Sequence, residues 1–347
     1  GRVWPNPAVG CVLVRESKVV GRGWTQPGGR PHAETEALDR VAQEAQGATA
    51  YVSLEPCTHK GKTRPCVEAL VGAGIVRCVV ALEDPDPRVS GRGILQMRQA
   101  GLEVPLGILA NQARELNEGF FSRINRNRPT VTLKFATTLD GFVATSRGES
   151  QWITGTLARR RGHLMRAEHD AVMVGIGTAI ADNPTLTCRL AGMAQFSPVR
   201  IVLDTNLRLP LSNKLVATAF EYQTWVITKA NCSKDKRAAF EEHGVQVLEV
   251  DTGADGRLSM GQAMSILGER GVTRLLVEGG PTVSGSVVRS GLVDRVVWFR
   301  SPTLLGGDGI SVTVPLGTEA LADAITFRRV GVEAVGEDML EIFAVTP

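Results

Sequence analysis

The chain has 347 residues, a length that favours two domains over one. Its 39 basic and 36 acidic residues are mixed along the sequence, and the net charge of +3 argues against a nucleic-acid or membrane partner. Six cysteines do not make a disulfide scaffold, and the sequence shows neither an apolar run of about 20 residues nor a signal-peptide pattern at its start. We therefore expect a soluble cytoplasmic protein.

The first third of the chain alternates strand-like and helix-like segments. A hairpin is predicted from residues 8–14 and 18–24, with its turn at residues 15–17. Further elements are strands at 48–54 and 75–82, a last strand or edge at 102–109, and helices at 32–45, 65–73 and 92–100. This alternation indicates a sheet with helices around it, an α/β sandwich.

A helical stretch at 111–124 and the polar segment RNRP, 126–129, close this first part. We place the domain boundary there, which gives domains 1–126 and 127–347. In the second part, strands are predicted at 130–136, 170–175, 199–204, 223–228, 245–250, 274–279, 294–299 and 340–345. Helices fit between several of these strands, so a second α/β domain with a larger sheet is expected.

Two segments of the first part suggest a metal site. PHAETEAL, 31–38, puts His32 at the start of a helix, and LEPCTHKGKTRPC, 54–66, adds Cys57 and Cys66 at proline-led turns where helical turns are expected to begin. Taken alone, the first segment fits a solvated helix start. One histidine and two cysteines suit zinc, and three protein ligands leave a position for water, as in catalytic sites. Zinc lowers the pKa of such a water to about 7, and Glu34 is placed to shuttle protons as in zinc deaminases.

Three other interpretations stay open on these residues. The site could be a closed structural zinc site with His59 as the fourth ligand. The chain could be a nucleoside or tRNA deaminase, although many of those enzymes have two residues between the cysteines where this chain has residues 58–65; RNA binding that weakens steeply with salt would favour it. A binding protein with a structural zinc and a nucleotide-sensing domain is the third interpretation, and release of ammonia would exclude it.

Two glycine-containing segments of the second part are candidates for phosphate binding. GIGTAI, 175–180, follows a strand, but Ile180 stands where a dinucleotide-binding Rossmann motif has its third glycine or alanine, so we reject that interpretation. VEGGPTVSGS, 277–286, is the better candidate, because a strand leads into two glycines and a helix is expected to start near Thr282. A tight strand–helix turn without a ligand is the alternative.

The motifs together resemble the bifunctional deaminase/reductases of riboflavin biosynthesis. The segments that resemble the deaminase domain are PNPAVGCV (5–12), HAE (32–34), EPCTHKGKTRPC (55–66) and EDPDPRVSGRG (83–93). The reductase domain is resembled by LKFATTLDGFVAT (133–145), GESQWITG (148–155), VGIGTAIADNPTLTCR (174–189), IVLDTNLRLP (201–210) and VEGGPTVSG (277–285). The resemblance covers nearly the whole chain and implies a cytidine-deaminase-like α/β/α sandwich followed by a dihydrofolate-reductase-like α/β domain.

The resemblance also implies the chemistry. It implies zinc-dependent deamination of 2,5-diamino-6-ribosylamino-4(3H)-pyrimidinone 5′-phosphate, with one zinc per chain, followed by NADPH-dependent reduction of the ribosyl group to ribityl. It further implies a homo-oligomer. The family has a helix before the first strand that is not found here, so we expect the chain to be trimmed at its start.

The family's functional residues transfer to positions of this chain. In the deaminase domain the resemblance implies substrate contacts at Asn6, Lys62 and Asp84. In the reductase domain it implies NADPH contacts at Ala136, Trp152, Thr178, Asp182, Thr205, Gly280, Pro281, Thr282, Val283, Ser284, Gly285 and Ser286. Substrate contacts are implied at Ser150, Arg166, Leu186, Arg189 and Glu278.

Elementary chemistry suggests what some of these reductase residues do. The guanidinium groups of Arg166 and Arg189 suit a sugar phosphate. Lys134 is expected to polarise or protonate the opened sugar, and Glu278 to bind ribose hydroxyls or assist proton movement. Trp152 offers a flat face to the nicotinamide, with a buried core position as the alternative.

Overall fold

The computed structural model describes residues 3–59 and 64–345. The chain forms two compact units, which divide between Asn127 and Arg128. None of the helices in these two ranges has the length and apolar character that a membrane span requires.

The first unit is built on a sheet with the strand order β2-β1-β3-β4. Strand β1 is antiparallel to both of its neighbours, and β3 is parallel to β4. Buried side chains alternate along β1 and β3, as strand geometry requires, and they pack with the helices into one core. The elements are β1 (Gly10–Arg15), β2 (Lys18–Trp24), α1 (Ala33–Asp39), β3 (Thr49–Val52), α2 (Cys66–Gly72), β4 (Arg77–Val80), α3 (Arg92–Gln99), α4 (Ala110–Leu116) and α5 (Glu118–Arg126).

The predicted hairpin is confirmed, whereas three other predictions for this unit are only partly met. The helix expected at 32–45 ends at Asp39 and is followed by a separate 3-10 turn at Ala42–Ala45. The segment at 102–109, expected as a last strand or edge, runs along the edge of β4 and is joined to it by parallel bridges at Arg77–Glu103 and Val80–Leu106. The pairing is not a continuous ladder, because Pro105 has no N–H to donate. The predicted helix at 111–124 is broken into α4 and α5 at Asn117. The Asn117 side chain accepts from the Ala8 N–H at 2.8 Å and donates to the Ala8 carbonyl at 3.1 Å.

The second unit is built on a larger sheet with the strand order β10-β9-β8-β7-β11-β5-β12-β15-β14. Its strands and helices are β5 (Thr130–Thr137), β6 (Phe142–Ala144), α6 (Thr156–Glu168), β7 (Ala171–Gly175), α7 (Ile176–Asp182), β8 (Val199–Leu203), α8 (Lys214–Ala217), β9 (Thr224–Lys229), α9 (Lys234–Glu242), β10 (Gln246–Val250), α10 (Met260–Glu269), β11 (Arg274–Val277), α11 (Pro281–Arg289), β12 (Arg295–Arg300), β13 (Ile310–Ser311), β14 (Phe327–Val335) and β15 (Asp338–Val345). Each predicted strand of this part is present within a few residues.

The first seven strands in this order, β10-β9-β8-β7-β11-β5-β12, are parallel to their neighbours. Strands β15 and β14 extend the sheet with antiparallel pairing. Strands β7 and β8 are buried along their whole length, as expected for the middle of a parallel sheet. The carboxyl ends of the parallel strands meet at one edge, where α/β proteins bind their ligands. The strands that were not predicted are β14, which is a mostly exposed edge strand, and the short ribbon of β6 and β13.

Candidate active sites

His32, Cys57 and Cys66 come together in the first unit. His32 is the residue before α1, Cys66 is the first residue of α2, and Cys57 lies in the irregular segment after β3. The helical turn expected at Cys57 is therefore absent, although the Cys66 turn is confirmed. His32 Nδ1 lies 3.3 Å from Cys66 Sγ and 3.5 Å from Cys57 Sγ, and the three ligand atoms lie within 4.8 Å of one another.

The donor set of this cluster fits zinc. Tetrahedral ligands at about 2.0–2.3 Å from a zinc ion stand roughly 3.5 Å apart, close to the nitrogen–sulfur distances found here. Hydrogen bonding to Cys66 lowers the pKa of the Cys57 thiol. Hydrogen bonding between His32 and Cys57 raises the pKa of the His32 imidazole. A thiolate is the form in which cysteine binds metal. His59 does not join the metal-ligating group among the described residues, which argues against its role as a fourth ligand.

Glu34 lies beside this cluster without belonging to it. Its side chain is in the first turn of α1 and is 3% exposed, and it lies near enough to the Cys66 thiol to add to the rise in pKa that hydrogen bonding to Cys57 causes in that thiol. Burial raises the pKa of this carboxyl group. A buried carboxyl group with a raised pKa next to a metal-ligating cluster is equipped to take up and release protons.

The predicted substrate contacts of this unit have different surroundings. Asp84 is buried, burial raises its pKa to about 6, and the charge of Cys57 is a smaller cause of the same shift, so the two groups lie within electrostatic reach. Asn6 packs against Gly29, where a Cβ would lie 1.7 Å from Asn6 Nδ2. Asn6 thus sits next to the turn that leads into His32. Lys62 lies outside the described residues.

Glu55 was not predicted as a functional residue, although it stands in the E-P-C motif two positions before Cys57. Its carboxylate is 4% exposed and accepts four backbone N–H groups, from Asp84 at 3.1 Å, Gly91 at 2.9 Å, Gly93 at 2.7 Å and Ile94 at 3.1 Å. Gly93 and Ile94 are in the first turn of α3, where backbone N–H groups have no acceptor within the helix. The N-cap residue of α3 is a glycine and offers them no side-chain acceptor, so Glu55 takes that role. Glu55 therefore ties the segment before Cys57 to the loop that carries Asp84.

The second unit contains a cleft of about 890 Å³ at the carboxyl edge of the parallel strands. The predicted reductase residues that line it are Lys134, Ala136, Ser150, Trp152, Arg166, Thr178, Asp182, Leu186, Arg189, Thr205, Glu278, Gly280, Pro281, Thr282, Val283, Ser284 and Ser286. Gly285 differs, because it faces Val314: a Cβ at Gly285 would lie 2.6 Å from Val314 Cγ2. Trp152 is 65% exposed, which rules out the buried core position, and the Arg159 guanidinium lies 4.6 Å from its ring centroid.

The glycine-rich segment after β11 forms a backbone cradle at the middle of the cleft. Gly279 has a φ of +97°, which favours glycine. A Cβ on Gly280 would lie 2.9 Å from Thr178 Oγ1, which accepts a hydrogen bond from the Gly280 N–H at 3.0 Å. Helix α11 has Pro281 in its first turn and no side-chain cap, so the following amides are available to an anion.

Lys134, Glu278 and Arg166 form a charged group at one end of the cleft. Lys134 is on β5 and Glu278 directly follows the adjacent strand β11. Glu278 accepts from Arg166 Nε at 2.6 Å and Nη2 at 2.8 Å, and Lys134 Nζ lies 3.9 Å from Glu278 Oε2. Burial by itself raises the pKa of Glu278, but the charges of Arg166 and Lys134 outweigh this effect and lower the pKa to about 2. Burial lowers the pKa of Lys134.

Arg166 also donates Nη1 to the Thr187 carbonyl at 3.1 Å. A guanidinium carries five N–H groups, so two remain for a ligand after these three hydrogen bonds. Arg189, at the same side of the cleft, is exposed and donates to Thr185 Oγ1 at 2.8 Å. Two further cleft residues were not predicted as contacts: Arg208, which lies within the segment IVLDTNLRLP, and Arg257, which lies in none of the quoted segments.

Comparisons with known proteins agree with this division of sites. The sequence family described as the RibD C-terminal domain matches residues 129–340, and the cytidine and deoxycytidylate deaminase zinc-binding region matches residues 3–82. The riboflavin biosynthesis protein RibD of Aquifex aeolicus is 43% identical over 343 residues, with 99% of this chain and 93% of that protein covered. The chain belongs to the RibD family.

Solved RibD structures give the same result. Acinetobacter baumannii RibD (form 2) aligns with a TM-score of 0.89 at 35% identity, covering 99% of this chain and 93% of its own. A Thermotoga maritima protein described as a diaminohydroxyphosphoribosylaminopyrimidine deaminase/5-amino-6-(5-phosphoribosylamino)uracil reductase aligns with a TM-score of 0.87 at 33% identity, covering 99% of this chain and 94% of its own. The chain is thus a riboflavin-biosynthesis enzyme with deaminase and reductase activities, and the predicted cytidine-deaminase-like and dihydrofolate-reductase-like folds are confirmed.

Proposed function

We propose that domain 1–126 deaminates 2,5-diamino-6-ribosylamino-4(3H)-pyrimidinone 5′-phosphate and that domain 127–347 then reduces the product with NADPH. The observation that carries this proposal is that one RibD-family chain holds both the His/Cys/Cys cluster with its adjacent Glu34 and the cleft with Lys134 and Glu278. Water replaces the 2-amino group in the first reaction, and ammonia leaves. A hydride and a proton are added to the opened ribosylamino group in the second reaction, and a ribitylamino group results.

His32, Cys57 and Cys66 would hold one zinc ion per chain. When bound there, zinc supplies Lewis-acid chemistry that makes water nucleophilic near neutral pH. Glu34 would take a proton from the attacking water and pass it to the leaving amine. Its burial and its proximity to the Cys66 thiol support this role, because they put the carboxyl group next to the ligands.

Asn6, Asp84 and Lys62 would bind the pyrimidine and its substituents in the deaminase site. The position of Asn6 against Gly29 and the electrostatic proximity of Asp84 to Cys57 support the first two assignments. The assignment of Lys62 rests on the family resemblance. Glu55 would act as a positioning residue, since its four hydrogen bonds fix the loop that presents Asp84.

The cleft of the second unit would bind NADPH along the strand edge. The uncapped start of α11 and the approach of Gly280 to Thr178 fit a pyrophosphate, because a side chain at Gly280 would collide with Thr178. When bound, NADPH supplies a hydride for C1′ of the sugar. Trp152 would contact the nicotinamide end, and its exposure within the cleft supports that role.

Lys134 would donate the proton that accompanies opening and reduction of the ribosyl group. Glu278 keeps the ammonium form favourable at 3.9 Å, and Arg166 fixes Glu278 through two hydrogen bonds. The free N–H groups of Arg166 and the exposed Arg189 would bind the 5′-phosphate, with Ser150 and Leu186 completing the substrate site.

The test combines metal analysis with two activity assays on the purified chain. We expect about one zinc per chain, ammonia release from the diaminopyrimidinone substrate, and NADPH oxidation with 5-amino-6-(5-phosphoribosylamino)uracil. Zinc and ammonia release without NADPH oxidation would refute the reductase half. NADPH oxidation by a chain that takes up no zinc would refute the deaminase half.

A further inference from the structure

One end of the cleft contains two arginines, Arg208 and Arg257, to which no ligand group has yet been assigned. This end is formed by the loops that follow β8 and β10, which contribute Thr205, Arg208, Arg257 and Leu258 to the cleft lining. The strand order β10-β9-β8-β7-β11-β5 puts these loops on one side of the α11 cradle and Lys134 on the other. A dinucleotide with its pyrophosphate at the cradle and its nicotinamide near Lys134 would therefore have its adenosine at this end.

Asp204 directly follows the parallel strand β8. In Rossmann-fold NAD enzymes an acid at the end of a parallel strand binds the ribose 2′-hydroxyl, which makes Asp204 the acid to consider at this end of the cleft. Here the carboxylate is fully buried and turned away from any ligand. It accepts the backbone N–H groups of Asn206 at 3.4 Å, Arg208 at 2.5 Å and Leu209 at 2.8 Å. The acid therefore shapes the loop after β8 and leaves no carboxylate for a ribose diol.

The same loop presents a cation to the cleft. Arg208 is exposed, and no residue in the described ranges accepts a hydrogen bond from its guanidinium group. Arg257 is also exposed, and its ion pair with Asp255 is long at 3.8 Å. The described parts of the two loops contribute no carboxylate to the cleft lining. A guanidinium group that faces a cleft is suited to a phosphate when it has no acidic partner, as for Arg208, or only a distant exposed one, as for Arg257.

We propose that Arg208 and Arg257 bind the 2′-phosphate of the adenosine ribose and thereby make the cleft select NADPH over NADH. The proposal rests on the proposed function, in which this cleft holds a reduced nicotinamide dinucleotide. It adds the residues that discriminate between the two cofactors, and it assigns Asp204 to positioning Arg208.

The test is the cofactor preference of Arg208→Ala, Arg257→Ala and the double variant in the uracil reduction assay. Each single variant should raise the KM for NADPH by about 10-fold to 100-fold, the range for loss of a charge-assisted hydrogen-bonded contact. The kinetics with NADH should stay within about twofold, because NADH lacks the phosphate. Arg329→Ala, an exposed arginine on β14 outside the cleft lining, is the matched control and should behave as the unaltered chain.

Binding of nucleotide fragments gives a readout that does not need catalysis. The unaltered chain should bind 2′,5′-ADP more tightly than 5′-AMP, and the double variant should lose this difference. Equal loss of NADPH and NADH activity in the arginine variants, or equal affinity of the unaltered chain for both fragments, would overturn the proposal. Failure to oxidise either dinucleotide, with the preference for 2′,5′-ADP intact, would instead refute the proposed reduction and keep the phosphate site.

Discussion

The metal-ligating cluster of the first unit and the cleft of the second unit are built from different parts of the chain. The cluster consists of side chains, with His32 Nδ1 and two sulfurs within 4.8 Å and Glu34 next to them. The cleft is lined by strand ends, glycines and the uncapped start of α11 over about 890 Å³. Chemistry in the first site depends on a few atoms, whereas binding in the second is spread over backbone and charge.

This difference explains what single substitutions should do. Removal of one ligand leaves two protein donors, fewer than the three that catalytic zinc sites use. Removal of one contact from an extended cleft reduces affinity and leaves the other contacts in place. The two activities should therefore respond to mutation on different scales within one chain.

The largest effect is expected for Cys57→Ala. Loss of this ligand should lower the zinc content far below one per chain and bring ammonia release below detection, while NADPH oxidation with the uracil substrate stays within about twofold. Elemental analysis and the two assays measure this on one preparation. Cys232→Ala, which removes a cysteine of the second unit, should change neither value. Full zinc content in Cys57→Ala would show that the cluster is not the metal site.

Glu34→Gln should have the next largest effect. The amide keeps the shape of the side chain but cannot carry a proton, so ammonia release should fall by about 10²-fold to 10⁴-fold with zinc retained. Glu36→Gln is the matched control, because Glu36 lies in the same helical turn and pairs with Arg40. If NADPH oxidation by the folded Glu34 variant were lost as well, the separation of the two sites would be wrong.

Glu278→Gln probes the charged group of the cleft through stability and pH. Its removal leaves Arg166 without its bidentate partner, which should cost about 3–5 kcal/mol of unfolding free energy at neutral pH. Because the folded pKa of about 2 lies below the ordinary 4.5, the difference between the two proteins should persist above pH 4.5 and shrink as pH falls towards 2.

Denaturant unfolding across this pH range measures the Glu278 effect. Glu333→Gln, at an exposed position on β14, serves as the control and should show little difference at any pH. A stability difference that stays constant from pH 7 to pH 2 would mean that the ionised carboxylate is not what stabilises the group.

The smallest effect is expected for Glu55→Gln. A glutamine has one acceptor oxygen and directs an amide group at backbone donors, so the unfolding free energy of the first unit should fall by about 1–3 kcal/mol. The KM for the diaminopyrimidinone should rise because the Asp84 loop loosens, while zinc content stays near one per chain. Glu83→Gln, an exposed residue of the same loop, is the control. An unchanged KM would limit Glu55 to a purely structural role.

The sequence predicts these sites unequally, for physical reasons. His32, Cys57 and Cys66 are recognisable because metal chemistry restricts the residue types that serve as ligands. The pairing of Arg166 with Glu278 joins residues 112 positions apart, and no local pattern encodes it. Arg208 lies within the segment IVLDTNLRLP, but the segment does not reveal that the side chain faces the cleft, since exposed arginines are common on protein surfaces.

The same reasoning applies to the fold. Buried parallel strands such as β7 and β8 were predicted because they are continuous apolar runs. Strand β14 was not predicted, because an exposed edge strand lacks a buried face. The break at Asn117 depends on its hydrogen bonds to Ala8, which lies 109 positions away.

Gly93 has a consequence for how the deaminase domain tolerates sequence change. A Cβ at this position would lie 2.3 Å from the Pro56 carbonyl and 3.0 Å from Glu55 Oε1. In a saturation library selected for growth without added riboflavin, position 93 should therefore accept essentially no replacement, although Gly93 is not one of the predicted metal or substrate ligands. The loop after β4 and the E-P-C motif should therefore change together in evolution. Grafting either segment alone from a distant homologue should fail, and exchanging both segments together should succeed.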